Sequence, residues 1–385
     1  MNDSKTALVL GGGVGGLVAA NRLRKLLPAR HRVVLVDRER QHLFQPSLLW
    51  LAVGDRAPDE IRRPLAHLAR RGVEVRIGAV DGIDTATRVV RVDGQQITGD
   101  AIIVALGADL APETIPGLAG AGHNLYTVDG ASAFSEALRA FTGGRIVVLT
   151  AAPAYKCPAA PYEAAMLIES VLRRRGVRDR VRMDLYAAEP GPMAVTGPKL
   201  SGQVRGVVES KGIGYHPEHQ VTHADAAARR LTFANGATAD FDLLLYVPPH
   251  RAPAIVREAG LLAASGWVAA DRGTFETNAP GIYAIGDVTG IPLAMGKPLP
   301  KAGVFAHAQA EVVADNIAGS WVGREARRTF DGVGQCYVET GDGRAGFGAG
   351  NFYAEPTPQV EFHAPARRWH WGKVLFERRW LKRWI

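Results

Sequence analysis

The chain carries two cysteines, Cys157 and Cys336. That count rules out a disulfide scaffold and leaves two buried apolar residues or a redox couple. The surroundings of Cys157 favour the couple. It sits in Lys156-Cys157-Pro158-Ala159-Ala160-Pro161-Tyr162-Glu163, shortly after the apolar run Ile146–Leu149. Such a run reads as a buried parallel strand, and in a nucleotide-binding half that strand feeds a glycine loop. Residues 151–163 hold no glycine, and Pro153 and Pro158 lack the N–H groups that a pyrophosphate needs. A nucleotide loop has been rebuilt around a thiol. Two such thiols can undergo thiol–disulfide exchange. Lys156 is an adjacent cation that would favour thiolate. Glu163 reads either as a proton acceptor or as an acid complementing the first turn of a helix.

A second constellation lies at the start. The apolar strand Thr6–Leu10 runs into Gly11, Gly13 and Gly16, followed by a helical stretch over 17–27. Gly11 suits the tight turn, Gly13 the close approach of a pyrophosphate, and Gly16 the packing of helix on strand. The next strand ends in Asp37, about 20 residues on, where a ribose hydroxyl needs an acceptor. Arg38 follows it at the same rim. These features in register predict a bound dinucleotide. The strand 101–106 ending at Gly107, and the later Thr277–Asp287 segment with its Gly286-Asp287 end, resemble the two-dinucleotide-binding-domain flavoproteins of the glutathione-reductase-like group. The resemblance implies FAD, with Asp287 on its ribitol and phosphate side. It also implies an α/β fold of two Rossmann-type domains, the first split by the second. The expected division is 1–111 with 273–323 for FAD, 112–272 for the inserted half, and 324–385 for a C-terminal segment with a short amphipathic helix.

The cysteine motif is similar to that of sulfide:quinone oxidoreductases and of the flavin subunits of flavocytochrome c sulfide dehydrogenases. Further matches are His42-Leu43-Phe44-Gln45-Pro46, Pro300-Lys301-Ala302-Gly303, Gln335-Cys336-Tyr337 and Lys373–Glu377. The resemblance implies that electrons pass from sulfide or a persulfide through Cys157 and Cys336 to FAD and on to a quinone. It implies a flavin-binding role for Pro46 and stabilisation of negative charge on the reduced flavin by Lys301. It also implies that Cys336 faces the flavin while Cys157 carries a persulfide; the residues themselves leave that order open. Where many of these enzymes have a third cysteine this chain has Tyr126, which speaks against long polysulfide products. No cysteine lies in 40–54, so the FAD is expected to be non-covalent. The His42–Pro46 loop also resembles type-II NADH dehydrogenases, which leaves NADH:quinone oxidoreduction as an alternative, and a non-catalytic redox-sensing flavoprotein as another.

Across 385 residues the net charge is +8, with much of the excess after residue 366. No zinc spacing or nucleic-acid-binding signature accompanies it, so neither a metal nor nucleic acid is expected. No apolar run reaches transmembrane length, and the start lacks the pattern of a signal peptide, which points to a cytoplasmic-side, peripheral membrane protein. On a helical projection of 371–385, Phe376, Trp380, Trp384, Leu381, Val374 and Ile385 gather on one side, interrupted by Lys373 and Glu377. Arg378, Lys382, Arg379 and Arg383 gather on the other, with Trp371 and Leu375 among them. That pattern predicts a helix lying on a membrane surface, or aromatics packed back on the body. A homo-oligomer is compatible with such a chain. His42, His123 and His216 read as loop or surface histidines, and His307 as a residue that could face the flavin.

Overall fold

The computed structural model describes residues 4–324 and 327–385. Residues 1–3 of the expected FAD half and 325–326 of the expected C-terminal segment lie outside them. Runs of Val, Ile, Leu and Ala with no alternation form strands buried on both faces, as parallel sheets require. The first sheet has the order Ile282–Ala284, Ala101–Val104, Thr6–Leu10, Arg32–Asp37, Glu74–Ile77, all parallel. The second has the order His123–Asn124, Leu243–Val247, Gly144–Thr150, Val181–Ala187, Gly214–His216, again all parallel. These are the two Rossmann-type halves.

The chain crosses between the halves on a short antiparallel ladder, Asp109–Leu110 against His250–Arg251. After that return, Ala252, Val256, Leu261 and Val268 join the core around Leu8, Leu10 and Ile102. In packing terms the first half therefore resumes near Ala252, twenty or so residues before the expected boundary at 272 (a loop-scale offset). The C-terminal segment opens with an antiparallel meander, Val333–Gly341, Arg344–Asn351 and Gln359–Ala366. It ends in the helix Arg367–Arg383.

That helix corrects the sequence reading of the tail. Val374, Trp380, Leu381 and Trp384 are buried in the cores of the body. The apolar side assigned to a membrane is thus mostly protein core. Lys373 and Glu377, read as interruptions, are buried ion pairs. Lys373 Nζ donates to Glu163 Oε1 at 2.6 Å. Glu377 accepts from Arg56 at 2.8 Å and from Ser47 Oγ at 2.5 Å. The apolar groups left outside are Trp371, 64% exposed, Leu375, 46%, and Phe376, 45%. Around them stand the exposed Arg368, Arg378, Arg379 and Lys382. Among the described residues no helix is long and apolar enough to cross a membrane.

Removing one partner of a buried ion pair leaves an uncompensated charge and costs about 3–5 kcal/mol. Lys373→Met is therefore expected to lower the unfolding free energy by about that amount. The double change Glu163→Gln with Lys373→Met should recover part of the loss, as read by denaturant titration. A Lys373→Met protein as stable as the parent would show that the pair contributes nothing.

Candidate active site

The glycine loop does what its spacing requires. Gly11 has φ +107°, and a Cβ there would stand 2.3 Å from Ala105 O. A Cβ on Gly16 would stand 1.7 Å from Gly11 O, so helix and loop can meet only without a side chain. At Gly13 nothing lies within 4 Å of an added Cβ, which leaves the backbone open to a ligand at the N-terminus of helix Val14–Leu26. Asp37 ends its strand and accepts from the Gly12 and Glu39 backbone N–H groups. A cleft of about 1410 Å³ begins there. Ordinary small-ligand pockets span roughly 300–1,000 Å³, so this one has the size of a dinucleotide. Gly11, Gly13, Asp37, Arg38 and Pro46 line one part of it; Gly107, Gly286, Asp287 and Lys301 line the rest. Gly16 packs behind the loop.

Two residues given no part in the site by the sequence, His42 and Tyr126, line this cleft. His42 is 2% exposed, not a surface histidine. Trp380 Nε1 donates to His42 Nε2 at 3.1 Å, so Nδ1 carries the proton and donates to Gly12 O at 2.9 Å. Burial lowers its pKa to about 4 and keeps it neutral. Trp380 and His42 thereby tie the C-terminal helix to the glycine loop. Tyr126 lines the cleft, and its hydroxyl donates to Lys156 O at 2.5 Å. His307, by contrast, faces Trp380 and Trp384 on the C-terminal helix and does not line the cleft.

Cys157 lies in the left-handed region, φ +49°. A non-glycine residue there costs of order 1–3 kcal/mol and persists only when its surroundings hold it. Here Cys157 N donates to Lys301 O at 2.6 Å, while Tyr126 grips the preceding carbonyl. Cys336 lies on the strand Val333–Gly341, and both thiols are free. Both line a second cavity of about 400 Å³, walled by apolar side chains such as Leu200, Leu299, Phe305 and Phe352. Cys157 also lines the cleft, and Cys336 does not. The walls thus give the cleft to Cys157, where the resemblance put Cys336.

The second half explains its missing glycine loop. Glu189 follows the strand Val181–Ala187, the position that Asp37 holds in the first half. Its carboxylate accepts from Tyr155 OH at 2.5 Å, Tyr162 OH at 2.7 Å and Thr150 Oγ1 at 2.8 Å. A ribose would have to displace two buried tyrosines. The sequence signal was available, since Tyr155 and Tyr162 flank the cysteine and an acid follows the next strand.

Residues 5–310 match the family described as pyridine nucleotide-disulphide oxidoreductase. The chain belongs to that family. It is similar to the sulfide-quinone reductase of Aquifex aeolicus, 27% identical over 98% of this chain and 90% of that protein. The solved structure of the Aquifex aeolicus sulfide:quinone oxidoreductase superposes with a TM-score of 0.89 at 25% identity, covering 99% of this chain and 91% of that one. The mitochondrial sulfide:quinone oxidoreductase of Dictyostelium discoideum is 23% identical over 86% of this chain and 75% of its own length. As a member of the family this chain is a flavin-dependent oxidoreductase, and its cofactor is FAD. The open backbone at Gly13 and the dinucleotide-sized cleft fit that cofactor.

Burial pushes both thiols up, Cys157 well above its ordinary value and Cys336 to about 12. The negative neighbour Glu163 adds to both shifts, and the leading opposing cation at both is Lys373. Sequence adjacency had suggested Lys156 instead. Glu163 itself is 1% exposed and accepts from Lys373 and from Glu339 N at 2.8 Å. Burial raises its carboxyl pKa and Lys373 pulls it back. Burial alone would lower the Lys373 pKa, but Glu163 and Glu339 raise it above its ordinary value. Glu163 is thus a charged joint between the cysteine helix, the Cys336 strand and the C-terminal helix. Lys301 Nζ donates to Asp287 O at 2.7 Å and Thr289 O at 2.9 Å, and lies 3.2 Å from the Trp267 ring centroid.

Replacing His42 by Leu should raise the dissociation constant for FAD about tenfold, the order expected when a charge-neutral buried hydrogen bond of roughly 1–1.5 kcal/mol is lost. His42→Asn, which can still donate to Gly12 O, should restore part of the affinity in a fluorescence titration of apoprotein with FAD. Unchanged affinity in His42→Leu would remove this link between tail and glycine loop.

Proposed function

We propose that the chain is an FAD-dependent sulfide:quinone oxidoreductase, taking two electrons from sulfide or a related persulfide or thiol and passing them to a quinone. The observation that carries the reading is the position of Cys157 in the wall shared by the cofactor cleft and the apolar cavity that also holds Cys336. The tyrosine-capped Glu189 supports it by closing the second nucleotide site. The names of the Aquifex and Dictyostelium relatives point the same way.

In the oxidised pair, a hydrosulfide ion attacks one sulfur of a Cys157–Cys336 disulfide. A new S–S bond forms, the old one breaks, and the products are one persulfide and one thiolate. Lys373 is the residue that offsets the burial of that thiolate. Burial raises the Glu163 carboxyl pKa, and its ion pair with Lys373, which works against that rise, holds the Lys373 ammonium charged beside the thiols. The Gly11–Gly16 loop, Asp37, Gly286 and Asp287 would hold FAD non-covalently, and the flavin would supply the two-electron acceptor for the thiolate and persulfide and the two-electron donor for the quinone. The largely apolar walls of the cavity favour a neutral or weakly solvated sulfur species beside the thiols.

Anaerobic addition of sulfide should bleach the flavin, and decylubiquinone should restore its colour. Cys157→Ala and Cys336→Ala should each keep FAD and lose nearly all sulfide-driven bleaching, because a two-thiol exchange cannot run on one thiol. Bleaching by NADH but not by sulfide would replace this reading with NADH:quinone oxidoreduction.

A quinone dissolved in a bilayer has to be met at the membrane surface. The outward face of the C-terminal helix, with Trp371, Leu375 and Phe376 among basic residues, has the composition of an interfacial contact. Each basic residue near an anionic surface adds about 1 kcal/mol. Trp371→Glu with Leu375→Glu should reduce co-sedimentation with phosphatidylglycerol vesicles at least tenfold, on the order of one to two lost interfacial contacts, while leaving sulfide-driven bleaching intact. Point changes are the right probe because removing the helix would also remove Lys373 and Trp380. Undiminished vesicle binding would take the anchor away from this face.

A further inference from the structure

We infer that Lys156 supplies the positive charge that sets the reduction potential of the flavin, the duty that the sequence had given to Lys301. The inference rests on FAD occupying the cleft and is independent of which donor and acceptor the enzyme uses.

Two lysines line the part of the cleft next to Cys157, and their ammonium groups are in different situations. Lys301 Nζ is spent on two backbone carbonyls, those of Asp287 and Thr289, and on the face of Trp267. Lys156 is 8% exposed, and among the described residues its Nζ makes no hydrogen bond or ion pair. The one contact of its charge is with the ring of Tyr126, 5.4 Å to the centroid, and Tyr126 itself lines the cleft. Burial lowers the Lys156 pKa below its ordinary value, and the groups that work against this and favour the charged form are Asp287, Cys157 and Asp109, each of them also on the cleft wall. Lys156 is in turn the first cation acting against the burial of Asp287.

A buried ammonium without a bonded anion is costly, and such groups are kept where an anionic or electron-rich partner meets them. The cleft has a direction. The helix N-terminus beside Gly13 takes the pyrophosphate and Asp37 takes the adenosine ribose, so the flavin end is the remaining one, bounded by Cys157, Tyr126, Lys156 and Asp287. Reduction adds electrons to the flavin, and a fixed positive charge in a dry site favours that more than it favours the oxidised form. The loop geometry fixes the ammonium in place. Tyr126 OH holds the Lys156 carbonyl, and the Cys157 N–H is held by Lys301 O. The side chain therefore leaves a pinned backbone and lines the cleft.

The test is an anaerobic redox titration of purified holoprotein against an indicator dye, with dithionite as reductant and neither sulfide nor quinone present. Lys156→Met should make the flavin at least tenfold harder to reduce, which for a two-electron couple is a midpoint about 30 mV more negative. Lys156→Arg should return most of the difference, which a merely structural role for the side chain would not do. FAD affinity, read by fluorescence titration of the apoprotein, should fall less than the reduction equilibrium does. Should Lys156→Met fail to hold FAD, Lys156→Gln gives the same reading with a polar side chain of closer shape. A midpoint unchanged in the neutral variants, or one that Lys156→Arg does not restore, overturns the inference. Neither result touches the sulfur–quinone reading, which stands or falls on bleaching by sulfide.

Discussion

The buried pair between Glu163 and Lys373 is the contact on which the site depends. It joins residues that are remote in sequence and sit on three separate elements. Glu163 belongs to the cysteine helix Ala160–Arg174, its second bond goes to the backbone of Glu339 on the Cys336 strand, and Lys373 belongs to the C-terminal helix. Without the pair, the cysteine helix loses its bond to the C-terminal helix and the thiols lose the cation that opposes their burial. A buried ion pair is a poor way to gain stability compared with apolar packing, since desolvation offsets most of the attraction. Its presence here is better understood through charge placement. An apolar replacement could hold the same elements together but would remove the leading cation that works against the burial of both thiols, together with the carboxylate that adds to it.

The same separation of duties runs through the rest of the site. Lys373, Lys301 and Lys156, which stand near the thiols or on the cleft wall, each have a different partner. Lys373 faces a carboxylate near the thiols, Lys301 faces backbone carbonyls, and Lys156 faces the cleft. The second nucleotide site shows the converse. There an acid that a ribose would need is satisfied by Tyr155, Tyr162 and Thr150, so the half keeps its Rossmann topology while its ligand position is filled by its own side chains. Fold and function part company at that point, as they often do when one scaffold serves several chemistries.

Local pattern carried much of this. The Gly11–Gly16 loop, Asp37 and the cysteine segment declare themselves because their meaning lies in spacing along the chain, and the parallel strands declare themselves as unbroken apolar runs. What stayed hidden depends on tertiary meetings. His42 looks like any loop histidine until Trp380 arrives from the other end of the sequence. Lys373 and Glu377 look like flaws in an amphipathic helix until Glu163 and Arg56 are placed opposite them. The tail shows the ambiguity most clearly: a stripe of Trp, Phe and Leu opposite Arg and Lys is the composition of an interfacial helix and equally of a surface helix packed on a core. Only the contacts of Trp380 and Trp384 decide that the broader apolar side faces inward.

The position of Lys373 in the chain has a consequence for biosynthesis. Translation delivers Cys157 and Glu163 long before Lys373 and Trp380, and domains fold as they emerge. Both Rossmann halves can collapse while the carboxylate of Glu163 still awaits its cation and the carbonyl of Gly12 awaits the histidine that Trp380 orients. During that interval Glu163 lacks the cation that pairs with it in the complete fold. A nonsense allele between residues 336 and 373 would therefore produce a polypeptide with both cysteines present and without the cation that works against their burial.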